Sequence, residues 1–347
     1  LDLPFSSWFC SSSQTELWRK VRGAVRKKIF FFILLGWVLL IIGDRVDELR
    51  VYQGAQIAMY TIALASIVLL TGYSGQVSLG NGAMMAVGGY SAALTLNNLQ
   101  TPIWFSFLMA ILVSALFGAL LGAAAARLAG PYLAGTTLAL AVGLPAIANQ
   151  FSFLGGEPGL LFDVGFPPES FGEEFTQYKW FFWIASVIAL LSLFITSNIL
   201  QSRFGRTWRA IRGNSLAAEL SGIHSSRMKV LAFTISSALA GLAGAVLAMT
   251  ISLVAPGAYT LTLSFALVTG AVLAGISSLP GVVLGGLILV AIPEIADALA
   301  GNFGDADKLN NYLPGLITSV LLILSVIYTP NGPGENLRKH LHKKSAH

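Results

Sequence analysis

Arg203, Arg206, Arg209 and Arg212 recur at every third position of QSRFGRTWRAIRGNSLAAELSGIHSSRMK, residues 201–229. On a helix that spacing sets four guanidinium groups along one flank. Asn214 or Ser215 is placed to cap a second short helix, with Glu219 in its early turns. Gly222 is suited to end it in a left-handed residue. The product is a pair of short surface helices, and two roles fit it: holding anionic lipid headgroups, or docking a partner protein.

A second group of residues is polar where its surroundings are apolar. TGYSGQVSLGNG, residues 71–82, carries Gln76, Ser78 and Asn81 and is too rich in glycine for a plain membrane span. Non-helical backbone survives at membrane depth only against protein or a watery cavity, so this stretch is a candidate lining of a path. Tyr132, Thr136 and Thr137 share one further stretch. Each has a plainer role available, because buried Ser and Thr bond their own helix carbonyls and Asn joins helices. Other chemistries lack their residues. No G-x-x-x-x-G-K-[ST] loop occurs, so no P-loop ATP site is expected, and no ATP in this chain. No Cys/His cluster suits a metal. His224, His340, His342 and His347 lie in loops expected to be solvated, and no nucleophile pattern includes them. Cys10 is the only cysteine, which rules out an intrachain disulfide.

The elements that must position these residues follow from composition. Only 11% of the 347 residues are charged, against about 25% in an ordinary soluble domain. No Asp, Glu, Lys or Arg occurs from Val51 to Ala126, from Leu128 to Gly156, from Trp180 to Ser202 or from Val230 to Pro293. Since about 20 apolar residues cross a bilayer, each long run holds one or more spans. The expected fold class is an all-α integral membrane protein with ten spans, some broken: 27–43, 53–71, 82–98, 103–126, 132–150, 179–200, 230–254, 262–277, 281–299 and 312–328. One membrane domain, 27–328, lies between basic tails 1–26 and 329–347. The basic residues before Ile29 resemble the start of a signal peptide, but acidic and basic residues, not a small-residue cleavage site, follow Gly43. An uncleaved first span is expected.

Charge sets the orientation. Loop 151–178 carries Glu157, Asp163, Glu169, Glu173 and Glu174, with no Lys or Arg, whereas both tails and loop 201–229 are basic. Ten spans with both termini cytoplasmic satisfy the positive-inside rule at every strongly biased loop. The net charge of +5 therefore has a topological origin. Nucleic acid is a poor partner, because the basic clusters are separated by membrane spans. The spans carry almost no charge: Arg127, Glu294 and Asp297 all sit near predicted ends. Proton- and ion-coupled carriers place such groups inside their helices, so the expected energy source is external and acts on the cytoplasmic face. The 36 glycines include the small-xxx-small pairs Gly118/Gly122, Gly281/Gly285 and Gly241/Ala245, which suit close helix packing.

Residues 209–248, RAIRGNSLAAELSGIHSSRMKVLAFTISSALAGLAGAVLA, resemble the cytoplasmic coupling loop of ABC importer permeases of the branched-chain amino acid type, the LivM-like member more than its partner. TGYSGQVSLGNGAMMAVGGYSAA (71–93) resembles that family's broken-helix segment. LGGEPGL (154–160) is similar to its outer motif, with Glu157 and Pro158 in the variable part, and YTPNGPGENLR (328–338) to its C-terminal exit.

The resemblance implies a permease in the bacterial plasma membrane, without an ATPase site of its own, paired with a second, LivH-like permease. It implies two cytoplasmic ATP-binding subunits and an extracytoplasmic substrate-binding protein. By the same resemblance Ala217, Ala218, Glu219 and Gly222 belong to the helix that fits the ATPase, with Arg209 and Arg212 steadying it. Urea or short amides are an alternative substrate class, because related permeases serve them. An ATP-independent channel and a membrane-embedded enzyme are the alternatives from other classes.

Overall fold

The computed structural model describes residues 29–41, 43–127, 131–165, 167 and 175–300, together with five helical positions between 316 and 323. Two compact units are present, Leu1–Val46 and Asp47–His347. In the first, α1 (29–41) falls inside the expected first span. The second contains α2 (Glu48–Ile67), α3 (Asn81–Leu99), α4 (Ile103–Ala125), α5 (Pro131–Gln150), α6 (Gln177–Gln201), α7 (Arg203–Gly213), α8 (Ser215–Leu220), α9 (Ser225–Ile251), α10 (Leu261–Ala274) and α11 (Gly281–Ala300). Two-residue strands β1 (Leu160–Leu161) and β2 (Leu253–Val254) pair antiparallel.

Eight expected spans, from 53–71 to 281–299, each coincide with a helix. Among the described residues, six helices are long and apolar enough to cross a membrane. Two of the eight fall outside that set for physical reasons. α3 is sheathed by protein along most of its length, so it tolerates Asn81, Thr95 and three glycines that lower its hydropathy. The apolar part of α11 stops at Ala296. The expected span 312–328 lies outside the described residues apart from the five positions named, as do tails 1–26 and 329–347 and residues 166 and 168–174 of the acidic loop.

Among the six apolar spans, α2 with its following turn and α9 are the most buried, and they form the axis of the second unit. α9 packs on α4, α3 and α2, while α2 packs on α6 and α11. Small residues make the closest approaches. A Cβ at Gly118 would stand 2.4 Å from Ser237 Oγ, and one at Gly281 2.1 Å from the Ala274 carbonyl oxygen. Gly241 would meet Ser114 Oγ at 2.0 Å. The small-xxx-small pairs are therefore packing faces, because glycine lets backbones meet where apolar burial gives no preference between protein and lipid.

The helices join two faces. On one, Phe162 N–H donates to Ser252 O at 3.0 Å, Asn97 Nδ2 donates to Leu161 O at 2.9 Å, and Glu48, Gln177 and Ser252 line one hollow. On the other lie the α7–α8 hairpin, the turn after Tyr73 and the α10–α11 turn, joined by the contacts described below. The described ends of loop 151–178 and the arginine-rich hairpin thus fall on opposite faces.

Candidate translocation seam and coupling hairpin

α2 does not end cleanly. It continues as a π-helical turn, Val68–Tyr73, and the chain then runs without helix to Gly80. Ser74 N–H reaches Leu69 O at 3.2 Å and Gln76 N–H reaches Leu70 O at 3.2 Å, so hydrogen bonding lengthens from five to six residues before it stops. Gly75 takes φ +74, the left-handed conformation that glycine adopts without penalty. Beyond it the backbone alternates: Ser74, Gln76, Ser78 and Gly80 are buried while Gly75 and Val77 are exposed. Polar groups face the protein and the apolar Val77 faces outward, the reverse of a soluble strand.

The break persists because neighbouring side chains satisfy its backbone. Thr137 Oγ1 accepts from Leu79 N–H at 3.0 Å, and Ser264 Oγ accepts from Gly82 N–H at 3.1 Å. Thr71 Oγ1 donates to Gln76 O at 3.1 Å. The orphan N–H groups of the α3 start would otherwise cost a few kcal/mol each in this setting. Asn81, the first residue of α3, donates from Nδ2 to Ser66 Oγ at 2.9 Å, and Ser236 Oγ donates to Ser66 O at 2.9 Å. A polar seam therefore ties α2, α3, α5, α9 and α10 together.

Ser78, Asn81 and Thr137 line one small cavity with Met84, Phe233 and Ser237. Its free space of about 10 Å³ is room for about one water molecule, so the seam is shut. Gln76 lies outside this cavity. Its Nε2 donates to Ser74 Oγ and, at 3.5 Å, to Lys229 O, while its buried Oε1 has no partner. Tyr132 and Thr136 are not brought here. Tyr132 is 76% exposed, and Thr136 is exposed with its hydroxyl bonded to Leu133 O. The stretch of α5 that appeared uniform in sequence divides between two helix faces, with Thr137 inward. Ser66, Ser236 and Ser264 were missed by sequence reasoning. Their only signal was a hydroxyl in an apolar run, which dozens of positions share.

The hairpin forms as its capping residues predict. Asn214 Oδ1 accepts from Ala217 N–H at 3.0 Å and starts α8; Gly222, at φ +83, ends it as Ile223 N–H reaches back to Ala218 O at 3.1 Å. α7 is amphipathic. Phe204, Trp208 and Ile211 turn inward, and Trp208 is fully buried with Nε1 donating to Met228 O at 2.9 Å. Trp208 thereby pins the hairpin to the base of α9; it too was missed, although its spacing from Phe204 and Ile211 was visible.

The predicted coupling residues divide. Ala218 is buried; Ala217, Glu219 and Gly222 are exposed, beside Leu216 (66% exposed) and Leu220 (84%). Two leucines four residues apart on a solvent-facing helix form an unpartnered apolar ridge. Arg209 and Arg212 do not point away with it. The Arg209 guanidinium lies 5.8 Å from the Tyr73 ring centroid, and Arg212 Nη1 donates to Gly72 O and, at 3.0 Å, to Ser277 Oγ.

The family model described as branched-chain amino acid transport system / permease component matches residues 52–326. The high-affinity branched-chain amino acid transport system permease protein LivM of Salmonella typhimurium is 28% identical, over 92% of this chain and 78% of its own length. LivM of Escherichia coli is 28% identical over 89% and 75%. The corresponding LivH of Salmonella typhimurium is 28% identical over 79% of this chain and 90% of its length. No solved structure matches the chain significantly. A family match that runs from the first turns of α2 past α11, over a helical multi-pass membrane protein, decides the classification: the chain belongs to the permease components of branched-chain amino acid transport systems.

Proposed function

We propose that this chain is a membrane-spanning permease subunit of an ATP-driven importer for branched-chain or other hydrophobic amino acids. One observation carries the reading. The capped helix α8 presents Leu216 and Leu220 outward, while Trp208 fastens the same hairpin to α9, which walls the charge-free polar seam. A helix built to be pushed is thus rigidly joined to a helix that borders the path. The pushing partners are two cytoplasmic subunits that bind and hydrolyse ATP; Leu216, Ala217, Glu219 and Leu220 meet them. An extracytoplasmic binding protein supplies substrate, so the path itself needs only weakly polar walls.

Ten spans with both termini in the cytoplasm fit this role, and the basic hairpin loop lies on the inner side by charge. Ser78, Asn81 and Thr137 form this chain's half of the path, with Gln76 at its inner end. Tyr132 and Thr136 belong to a second surface. On α5 they share an exposed face with Gly135, which has nothing within 4 Å of its Cβ position. Polar and small residues are poor lipid-facing choices and good helix-contact choices. That face meets the second, LivH-like permease, and the path runs where the two chains join.

Reconstitution with the second permease, the ATPases and the binding protein tests the reading. Labelled leucine should accumulate only with ATP, and labelled urea should not. Leu216→Ser combined with Leu220→Ser should lower recovery of ATPase on purification and cut uptake by about tenfold or more, with the permease still in the membrane. Wild-type recovery and uptake by that variant would end the docking role of α8. For orientation, cysteines at Leu161 (72% exposed) and Leu220 in a Cys10→Ser background are informative, because they lie on opposite faces. An impermeant maleimide added to intact cells should label the first and spare the second; the reverse pattern would invert the topology.

A further inference from the structure

We infer that Arg212 is the residue through which movement of the α7–α8 hairpin reaches the translocation seam, and that it works inside the permease, away from the ATPase contact. The inference rests on the ATP-driven reading above and adds to it a positioning residue and a route.

The Gly72 carbonyl belongs to the frayed C-terminal end of α2. In a regular helix it would accept from the N–H of residue 76, but Gln76 N–H is bound to Leu70 O at 3.2 Å. Gly72 O therefore needs an outside donor, and the C-terminal end of a long helix carries partial negative charge that favours a cation. Arg212 supplies both, through Nη1. The same nitrogen donates at 3.0 Å to Ser277 Oγ, in the turn that follows the last residue of α10. One guanidinium thus joins the ends of α2 and α10. A Cβ at Gly72 would stand 1.8 Å from the Ile276 carbonyl oxygen, so the two ends touch backbone to backbone at the same point.

The aliphatic stem of Arg212 is engaged as well. A Cβ at Gly75 would lie 2.9 Å from Arg212 Cγ and 3.2 Å from Arg212 Cβ. The left-handed turn of the broken segment is therefore wrapped on this side chain. Three residues further along is Ser78, and six further along is Asn81, both in the closed cavity. On its other side Arg212 is two residues from Asn214, the cap that starts α8. A direct covalent and hydrogen-bonded route from the docking helix to the seam passes through this residue. Lysine cannot substitute fully, since its ammonium is a compact, strongly hydrated charge on a flexible stem, without the rigid planar guanidinium that fixes the geometry here.

The test uses the reconstituted importer and measures ATP hydrolysis and leucine uptake together. With R212A, ATPase subunits should copurify in the wild-type ratio and hydrolysis should stay within about twofold, while leucine moved per ATP falls by about tenfold. R212K should lie between R212A and wild type, and it carries the test if R212A does not accumulate in the membrane. A wild-type leucine-to-ATP ratio in either variant, or loss of ATPase subunits from either purified complex, would overturn the inference. Absence of ATP-dependent uptake in the wild-type complex would instead overturn the functional reading, and the inference with it.

Discussion

Leucine in place of Gly244 should leave almost no folded protein in the membrane. Gly244 of α9 crosses α3 so closely that a Cβ there would stand 1.9 Å from Met85 O and 2.7 Å from Met85 Cα. A few residues along the same crossing, a Cβ on Gly88 would stand 2.1 Å from Gly241 O. The obstructing atoms are backbone, which cannot swing aside as a side chain can. The helices would have to separate, and contacts among α2, α3, α4 and α9 would be lost with them. In lipid no hydrophobic drive pulls helices together, so close packing is what association depends on. A loss above about 4 kcal/mol is expected, in the class of severe core disruptions. Gly257, with open space at its Cβ position, is the control, and Gly257→Ala should change stability by no more than about 0.5 kcal/mol. Detergent extraction followed by gel filtration reads both variants. A wild-type monodisperse peak from Gly244→Leu would show that the α3–α9 crossing is not the structural axis.

The second large effect is expected at Trp208. Its side chain is fully buried beneath the hairpin, and its indole N–H meets the Met228 carbonyl at 2.9 Å. Trp208→Ala removes that burial and leaves a cavity, a loss of about 3–5 kcal/mol. The stability concerned is local, holding α7 against the base of α9, so the hairpin should loosen before the bundle does. Trypsin acting on inside-out vesicles should then cut between Arg203 and Arg212 much faster than in wild type, and ATP-driven uptake should fall. Trp208→Phe keeps much of the apolar volume but leaves Met228 O without its donor, at about 1–3 kcal/mol, and should be intermediate. Equal cleavage rates in all three proteins would mean that Trp208 does not hold the hairpin.

Much of the architecture was written locally. Charge-free runs placed eight helices of the second unit to within several residues, because the bilayer demands a minimum apolar length. Asn214 and Gly222 marked the ends of α8 for equally local reasons: a cap bonds within its own turn. TGYSGQVSLGNG was visible as a break because glycine and polar residues there conflict with a continuous span.

Direction of side chains was not legible in the same way. Tyr132, Thr136 and Thr137 lie within six residues, yet only Thr137 reaches Leu79 N–H and the closed cavity. Adjacent residues on a helix diverge by about 100°, and which side is inward depends on helices more than a hundred residues away. The arginines taught the same lesson. Their three-residue spacing set them along one flank without saying what that flank meets, and Arg212 bends back to two helix ends separated from it by 140 and 65 residues.

The amino-acid sequence alone determined that this chain lives in a membrane, where its helices begin and end, and that its basic and acidic loops separate. Those properties follow from local apolar length, capping and charge. Only the tertiary structure decided which hydroxyls share a cavity, which leucines remain uncovered on α8 and where Arg212 points. Those depend on long-range backbone approach, and the unmet carbonyl at Gly72 arises only once α2 has frayed against the α10–α11 turn.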